Sequence, residues 1–257
     1  SIRIGAGGIM LPNHSPLLIA EQFGTLESLF PGRIDLGLGR APGSDQITAR
    51  ALRRNLASDS DDFPQDVMEL MDYFSDEPRQ PVRAVPGTGL KLPMWILGSS
   101  LFGAQLAAHL GLPFAFASHF APAQMMQAIE IYRARFQPSA RLAKSYVMLG
   151  FHVFAADTDE EALRLFESRA RWKMDRNLGR IDAILPPDQA VRDYSAGEHR
   201  ALTELKDNAL VGTAKQVVTK LRALAERLQI EEIVVITWTH DPVAQARSYE
   251  LLAQEIL

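Results

Sequence analysis

Short apolar runs alternate along this chain with longer segments in which apolar residues recur every three or four positions. The runs are Ile2 to Met10, Ile34-Asp35-Leu36-Gly37-Leu38-Gly39, Met94-Trp95-Ile96-Leu97, Phe114-Ala115-Phe116-Ala117, Tyr146 to Phe154 and Ile233-Val234-Val235-Ile236. A run that is apolar on both faces suits a strand of a parallel sheet covered by helices. Between the runs, Ile19, Phe23, Leu26 and Phe30 fall at steps of four, three and four. The same spacing links Phe63, Val67, Leu70 and Phe74, then Met125, Ile129, Tyr132 and Phe136, and again Val217, Leu221, Leu224 and Leu228. Each set predicts a helix with one apolar stripe for the core. Thr158-Asp159-Glu160-Glu161 and Thr213-Ala214-Lys215-Gln216 both read as capping boxes. Gly111 followed by Pro113 ends the helix that starts near Leu101. The β-α-β-α order predicts a parallel sheet with right-handed crossovers. Six such strands fit either an open doubly wound sheet or most of an eight-fold barrel.

Two stretches break the rhythm. Asp76 to Pro93 carries Pro78, Pro81, Pro86 and Pro93 with Gly87 and Gly89, and reads as a long loop or a short irregular hairpin. Ile181 to Asn208 holds Pro186-Pro187, Gly197 and many charges, and reads as an insertion between a helix and the Thr213 helix. Long insertions beside barrel strands form lids or surface loops, and both readings stand. There is no repeat or interdomain linker, so residues 1–257 read as a single domain with an insertion at about 181–208.

Composition narrows the function classes. With 257 residues, 47% hydrophobic and 23% charged, the chain can bury a large core and does not read as disordered. A net charge of −4 argues against a nucleic-acid partner and suits a soluble protein that binds small molecules. No cysteine is present, which removes disulfides, thiolate metal sites and cysteine nucleophiles and fits a cytoplasmic location. No apolar run reaches the ~18 residues of a membrane span. Ser1-Ile2-Arg3-Ile4 begins in what reads as a strand, with no signal-peptide architecture.

The chemistry-bearing residues cluster at strand ends. Gly37-Leu38-Gly39-Arg40-Ala41-Pro42-Gly43 offers close backbone approach and a guanidinium fork for phosphate. It is not a dinucleotide fingerprint, and Arg40 also suits a structural ion pair. Gly98-Ser99-Ser100-Leu101-Phe102-Gly103 opens a helix, where hydroxyls and free amides form either a phosphate cradle or a plain N-cap. Gly5-Ala6-Gly7-Gly8 tolerates unusual backbone, including a cis peptide beside a ligand, or a bulge. Histidines lie at positions 14, 109, 119, 152, 199 and 240, with no metal-ligand spacing. Of these, His119, just past a strand, is the candidate for a site residue; its alternative is a bond to a loop carbonyl. His109 reads as structural, and His14 could face a site or cap the Pro16 helix. Trp238-Thr239-His240-Asp241 follows the last strand. No Gly-x-Ser-x-Gly elbow and no P-loop exist.

Taken in order, these segments resemble the bacterial-luciferase-like flavin monooxygenases. Gly5 to Pro16 resembles that family's third-strand signature, and Pro31-Gly32-Arg33-Ile34-Asp35-Leu36-Gly37-Leu38-Gly39-Arg40 its fourth strand. Leu97-Gly98-Ser99-Ser100, Ala117-Ser118-His119-Phe120 and Val211-Gly212-Thr213 follow in the family's order. The resemblance implies an α/β fold, a TIM (β/α)8 barrel that uses reduced FMN as co-substrate to activate O2. It implies that Arg40, Ser99 and Ser100, with the amides of Phe102 and Gly103, hold the flavin phosphate. It places a non-proline cis peptide at Gly7-Gly8 beside the flavin ring, and Gly39 near the flavin carbon that reacts with O2. The family barrel has two βα units before the Gly5 strand that this chain lacks. At about 250 residues for eight units, about 60 are missing. The family's catalytic histidine lies there and has no counterpart here, which leaves His119 as a weak candidate. A six-strand barrel would expose raw strand edges, so the chain reads as incomplete. The implied function is oxygenation of a small organic substrate, with a separate flavin reductase and a homodimer as partners. A deazaflavin (F420)-dependent hydride transfer and a non-catalytic flavin-binding role are the alternatives.

Overall fold

The computed structural model describes residues 2–41, 62–180 and 182–256. Pro42 and Gly43 of the Arg40 segment lie outside the described residues. The chain forms two compact units, Ser1–Phe116 with Ala123–Val147, and Ala117–Pro122 with Met148–Leu257.

In the first unit four strands pair in chain order, all parallel: β1 (Ile4–Met10), β2 (Ile34–Gly39), β3 (Met94–Gly98) and β4 (Phe114–Phe116). They alternate with α1 (Pro16–Leu29), α2 (Phe63–Tyr73), α3 (Leu101–Leu110) and α4 (Met125–Arg135). Leu36, Leu38 and Ile96 are fully buried, as strands apolar on both faces require. The helical stripes are buried in part: Ile19 and Phe23 on α1, and Val67 and Leu70 on α2, are in the core. Leu26 and Phe30, from the same stripe as Ile19, remain exposed. Tyr132, fully buried on α4, donates its hydroxyl to the Leu112 carbonyl at 2.9 Å and accepts from the Tyr146 amide at 3.1 Å. Gly111 takes the left-handed conformation (φ 61°) that closes α3, as its position before Pro113 predicts. At Gly37 the strands approach so closely that a Cβ would lie 2.2 Å from the Ala6 carbonyl oxygen. Asp76 to Pro93 contains no helix or strand, matching its reading as a loop.

In the second unit β5 (Val147–Ala156) lies between β6 (Ala209–Thr213) and β7 (Glu232–Ile236), and pairs with both in parallel. Phe154 and Ala156 pack on Ala162, Leu165, Phe166 and Ala170 of α5 (Asp159–Asn177). The segment read as an insertion holds α6 (Pro187–Ala190) and α7 (Ala196–Asp207). Ser195 and Glu198 close a capping box at the start of α7, and Leu202 and Leu205 pack on the Phe154 cluster. Then come α8 (Ala214–Leu228) and α9 (Pro242–Ile256).

Three local features differ from the sequence reading. β6 forms where the pattern shows only the cap of α8, because its short apolar stretch gains its ladder from β5. The Thr158 hydroxyl caps α5 by accepting from the Glu161 amide, but the Glu161 carboxylate turns to Arg164 (2.7 and 2.9 Å). A charged partner outcompetes the return bond of a capping box. The sequence reading assigns no stripe to α9, where Leu252 is buried and the Ser248 hydroxyl accepts from the Ala155 amide at 3.0 Å.

Candidate functional site

The first unit brings together the strand-end residues. The Gly7-Gly8 peptide is cis, and the β1–β2 register shifts between Ala6 and Ile9 at that point. A Cβ on Gly8 would lie 2.7 Å from the Gly37 carbonyl oxygen, so this position tolerates only glycine. A Cβ on Gly7 would meet nothing within 4 Å, and one on Gly39 only the Ile9 carbonyl at 3.8 Å. Among the described residues nothing crowds the surface beside Gly7 and Gly39, as a planar ligand would need.

Arg40, just past β2, stacks on Phe102 in the first turn of α3, its guanidinium carbon 4.2 Å from the ring centroid. The N-cap of α3 is Ser100, with extended backbone and no side-chain cap bond. Its hydroxyl is thus not spent on the helix, and the first-turn amides need an external acceptor. Ser99 is exposed beside it, and Gly103 is buried with its Cα 3.6 Å from where a Gly98 Cβ would stand. A cation, two hydroxyls and a helix N-terminus at adjoining strand ends fit the phosphate of a flavin. When bound, such a flavin supplies the redox chemistry and the reaction with O2.

The second unit contains His119 and a group of residues that no sequence pattern marks. The His119 amide donates to the Gly150 carbonyl at 3.0 Å, and its Nδ1 lies 3.2 Å from the same oxygen. The Ser118 hydroxyl donates to that oxygen too. His119 therefore does bond a carbonyl, as its alternative reading foresees, and it also lines a cavity with His152, Arg169 and Lys173. Burial holds the His119 imidazole below its ordinary pKa. Nε2 of His152 lies 3.0 Å from Nη2 of Arg169, and Nδ1 lies 3.4 Å from the Ile236 carbonyl. A guanidinium can only donate, so Nε2 must accept and the proton sits on Nδ1. His152 is accordingly neutral, its pKa pushed down to about 3 by burial and then by Arg169. His152 stands inside an apolar run and Arg169 on an otherwise ordinary helix, so no local pattern marks either as a site residue. His14, His109, His199 and His240 are exposed.

Residues 1–232 match the luciferase-like monooxygenase family. The chain belongs to that family. It is 49% identical over 253 residues to a luciferase-like monooxygenase of Escherichia coli strain K12, covering 98% of this chain and 76% of that one. It is 30% identical over 270 residues to the N-acetyl-S-alkylcysteine monooxygenase of Bacillus subtilis strain 168, covering 100% and 78%. The crystal structure of apo-MsnO8 superposes with a TM-score of 0.87 at 31% identity, over 99% of this chain and 78% of that one. A luciferase-like monooxygenase thus carries the Gly7, Gly39, Arg40 and Ser99-Ser100 features on a fold of the luciferase-like TIM-barrel type. No helix among the described residues is long and apolar enough to cross a membrane.

Proposed function

We propose that this luciferase-like monooxygenase binds reduced FMN and uses O2 to oxygenate a small organic substrate, with FMN reduced by a separate flavin reductase. The observation that carries the reading is the Arg40–Phe102 stack beside Ser99 and Ser100, which offers a phosphate its cation, hydroxyls and amides together. Arg40 and the first turn of α3 hold the phosphate end. Gly7 and Gly39 leave room for the flat ring, because no side chain among the described residues intrudes there. The chain's part in the chemistry is to orient the cofactor and keep water from its reacting face.

The test is an anaerobic titration with oxidised and with reduced FMN, read by flavin fluorescence and absorbance. Tighter binding of the reduced form, and oxygen uptake coupled to substrate when O2 is admitted, is the expected result. Arg40→Ala should weaken FMN binding by at least tenfold, about 1.4 kcal/mol, in line with loss of a charge-assisted contact. Binding of neither form, or unchanged affinity in Arg40→Ala, overturns the reading. Turnover with a deazaflavin and no oxygen uptake would instead assign F420-dependent hydride transfer.

A further inference from the structure

Arg169 on α5 is 4% exposed and is enclosed by rings: the centroids of Trp172 and Trp238 lie 5.1 and 5.2 Å from its guanidinium carbon. Nη2 reaches His152, whereas Nε and Nη1 are sealed from solvent and have no acceptor. No acid among the described residues pairs with it; its neighbouring charges, Arg176 and Lys173, are both positive. A buried charge without a counterion is costly. Beside it is a cavity of about 90 Å³ whose polar lining is Arg169, Lys173, His119, His152 and Asn208; the rest of its lining, including Phe120, Phe154, Phe166 and Leu205, is apolar, and no carboxylate among the described residues lines it. All of these groups belong to the second unit.

We propose that this cavity binds a small oxyanion, the carboxylate or phosphate group of a small molecule. Three features select that class. Lys173 and Asn208 offer N–H donors to the cavity beside the buried Arg169 charge, and these need acceptor oxygens. It offers no negative charge, so a cation or a neutral apolar group would leave Arg169 uncompensated. The volume suits a charged head group rather than a whole nucleotide, since each water-sized centre takes roughly 10–15 Å³. The site is separate in its residues from the Arg40 cradle and does not depend on the flavin reading.

Trp172 and Trp238 flank the guanidinium, so their fluorescence reports on it. The experiment titrates the full chain with sodium phosphate, and separately with sodium acetate, against sodium chloride at equal ionic strength, following tryptophan emission and thermal unfolding. The expected result is a saturable emission change and a rise in Tm with phosphate or acetate and not with chloride. The oxyanion that saturates identifies the group. Arg169→Met should weaken the saturation at least tenfold, Lys173→Met several-fold, and Arg40→Ala should keep it. Chloride giving the same response, neither oxyanion saturating, or saturation surviving in Arg169→Met overturns the proposal, as does its loss only in Arg40→Ala. If Arg169→Met does not fold, Lys173→Met decides: unchanged saturation there overturns it.

Discussion

At the scale of single residues, His152 turns a sequence-silent position into a measurable one. In the unfolded chain its imidazole titrates near 6.5; in the fold it is pushed down to about 3, first by burial and then by Arg169 and Lys173 on α5 and by His119. Between those values the unfolded chain takes up a proton that the folded chain refuses. Stability is therefore lost as pH falls through this window, by up to about 1.4 kcal/mol per pH unit for one group. His119, also lowered by burial, acts in the same direction. Glu198, held down to about 2 from 4.5 chiefly by Arg192, adds its own loss only at lower pH. Urea midpoints between pH 6.5 and 4.5 should then show a positive slope of stability with pH that His152→Gln reduces by about one proton's worth. An unchanged slope in that variant would show that His152 is not held neutral. His119 was legible because it follows a strand end; His152 was not, because nothing within an apolar run signals an arginine approaching from a helix 17 residues further on.

Among the elements, β2 separates two uses of glycine. Gly37 is required by packing, with the Ala6 carbonyl 2.2 Å from a would-be Cβ, so Gly37→Ala should lower the unfolding free energy by roughly 1–3 kcal/mol, as overpacking does. Gly39, with its nearest neighbour at 3.8 Å, should accept alanine with little change in stability. On the proposed reading, Gly39→Ala nonetheless weakens FMN binding, because the methyl occupies ligand space. Urea unfolding and FMN titration of the two variants separate the roles; equal destabilisation by both would contradict the geometry. The α7 terminus carries a third element-scale prediction: Ser195→Ala removes the box with Glu198 and should cost about 1 kcal/mol.

For the whole molecule, the chain belongs to the luciferase-like monooxygenases, and on the proposed reading its strand-end residues hold FMN. Cofactor binding to the native state alone stabilises it by mass action. Reduced FMN at a hundredfold excess over its Kd should thus raise the unfolding free energy by about 2.7 kcal/mol. Anaerobic thermal unfolding checks this, with Arg40→Ala showing the smaller gain; a Tm indifferent to FMN would count against a flavin site.

The sequence by itself determined the alternating strands and helices, the helix ends at Gly111 and Thr158, and the placing of Gly39, Arg40, Ser99 and Ser100 at strand ends. These follow from spacing within a few residues, where periodicity and backbone preference act. Only the tertiary structure decided that β6 has a ladder, that Arg40 stacks on Phe102, and that His119, His152, Arg169 and Trp238 share one neighbourhood. Those contacts join residues far apart in the chain. Burial and the missing counterion, which give Arg169 and His152 their chemistry, exist only once the helices have packed.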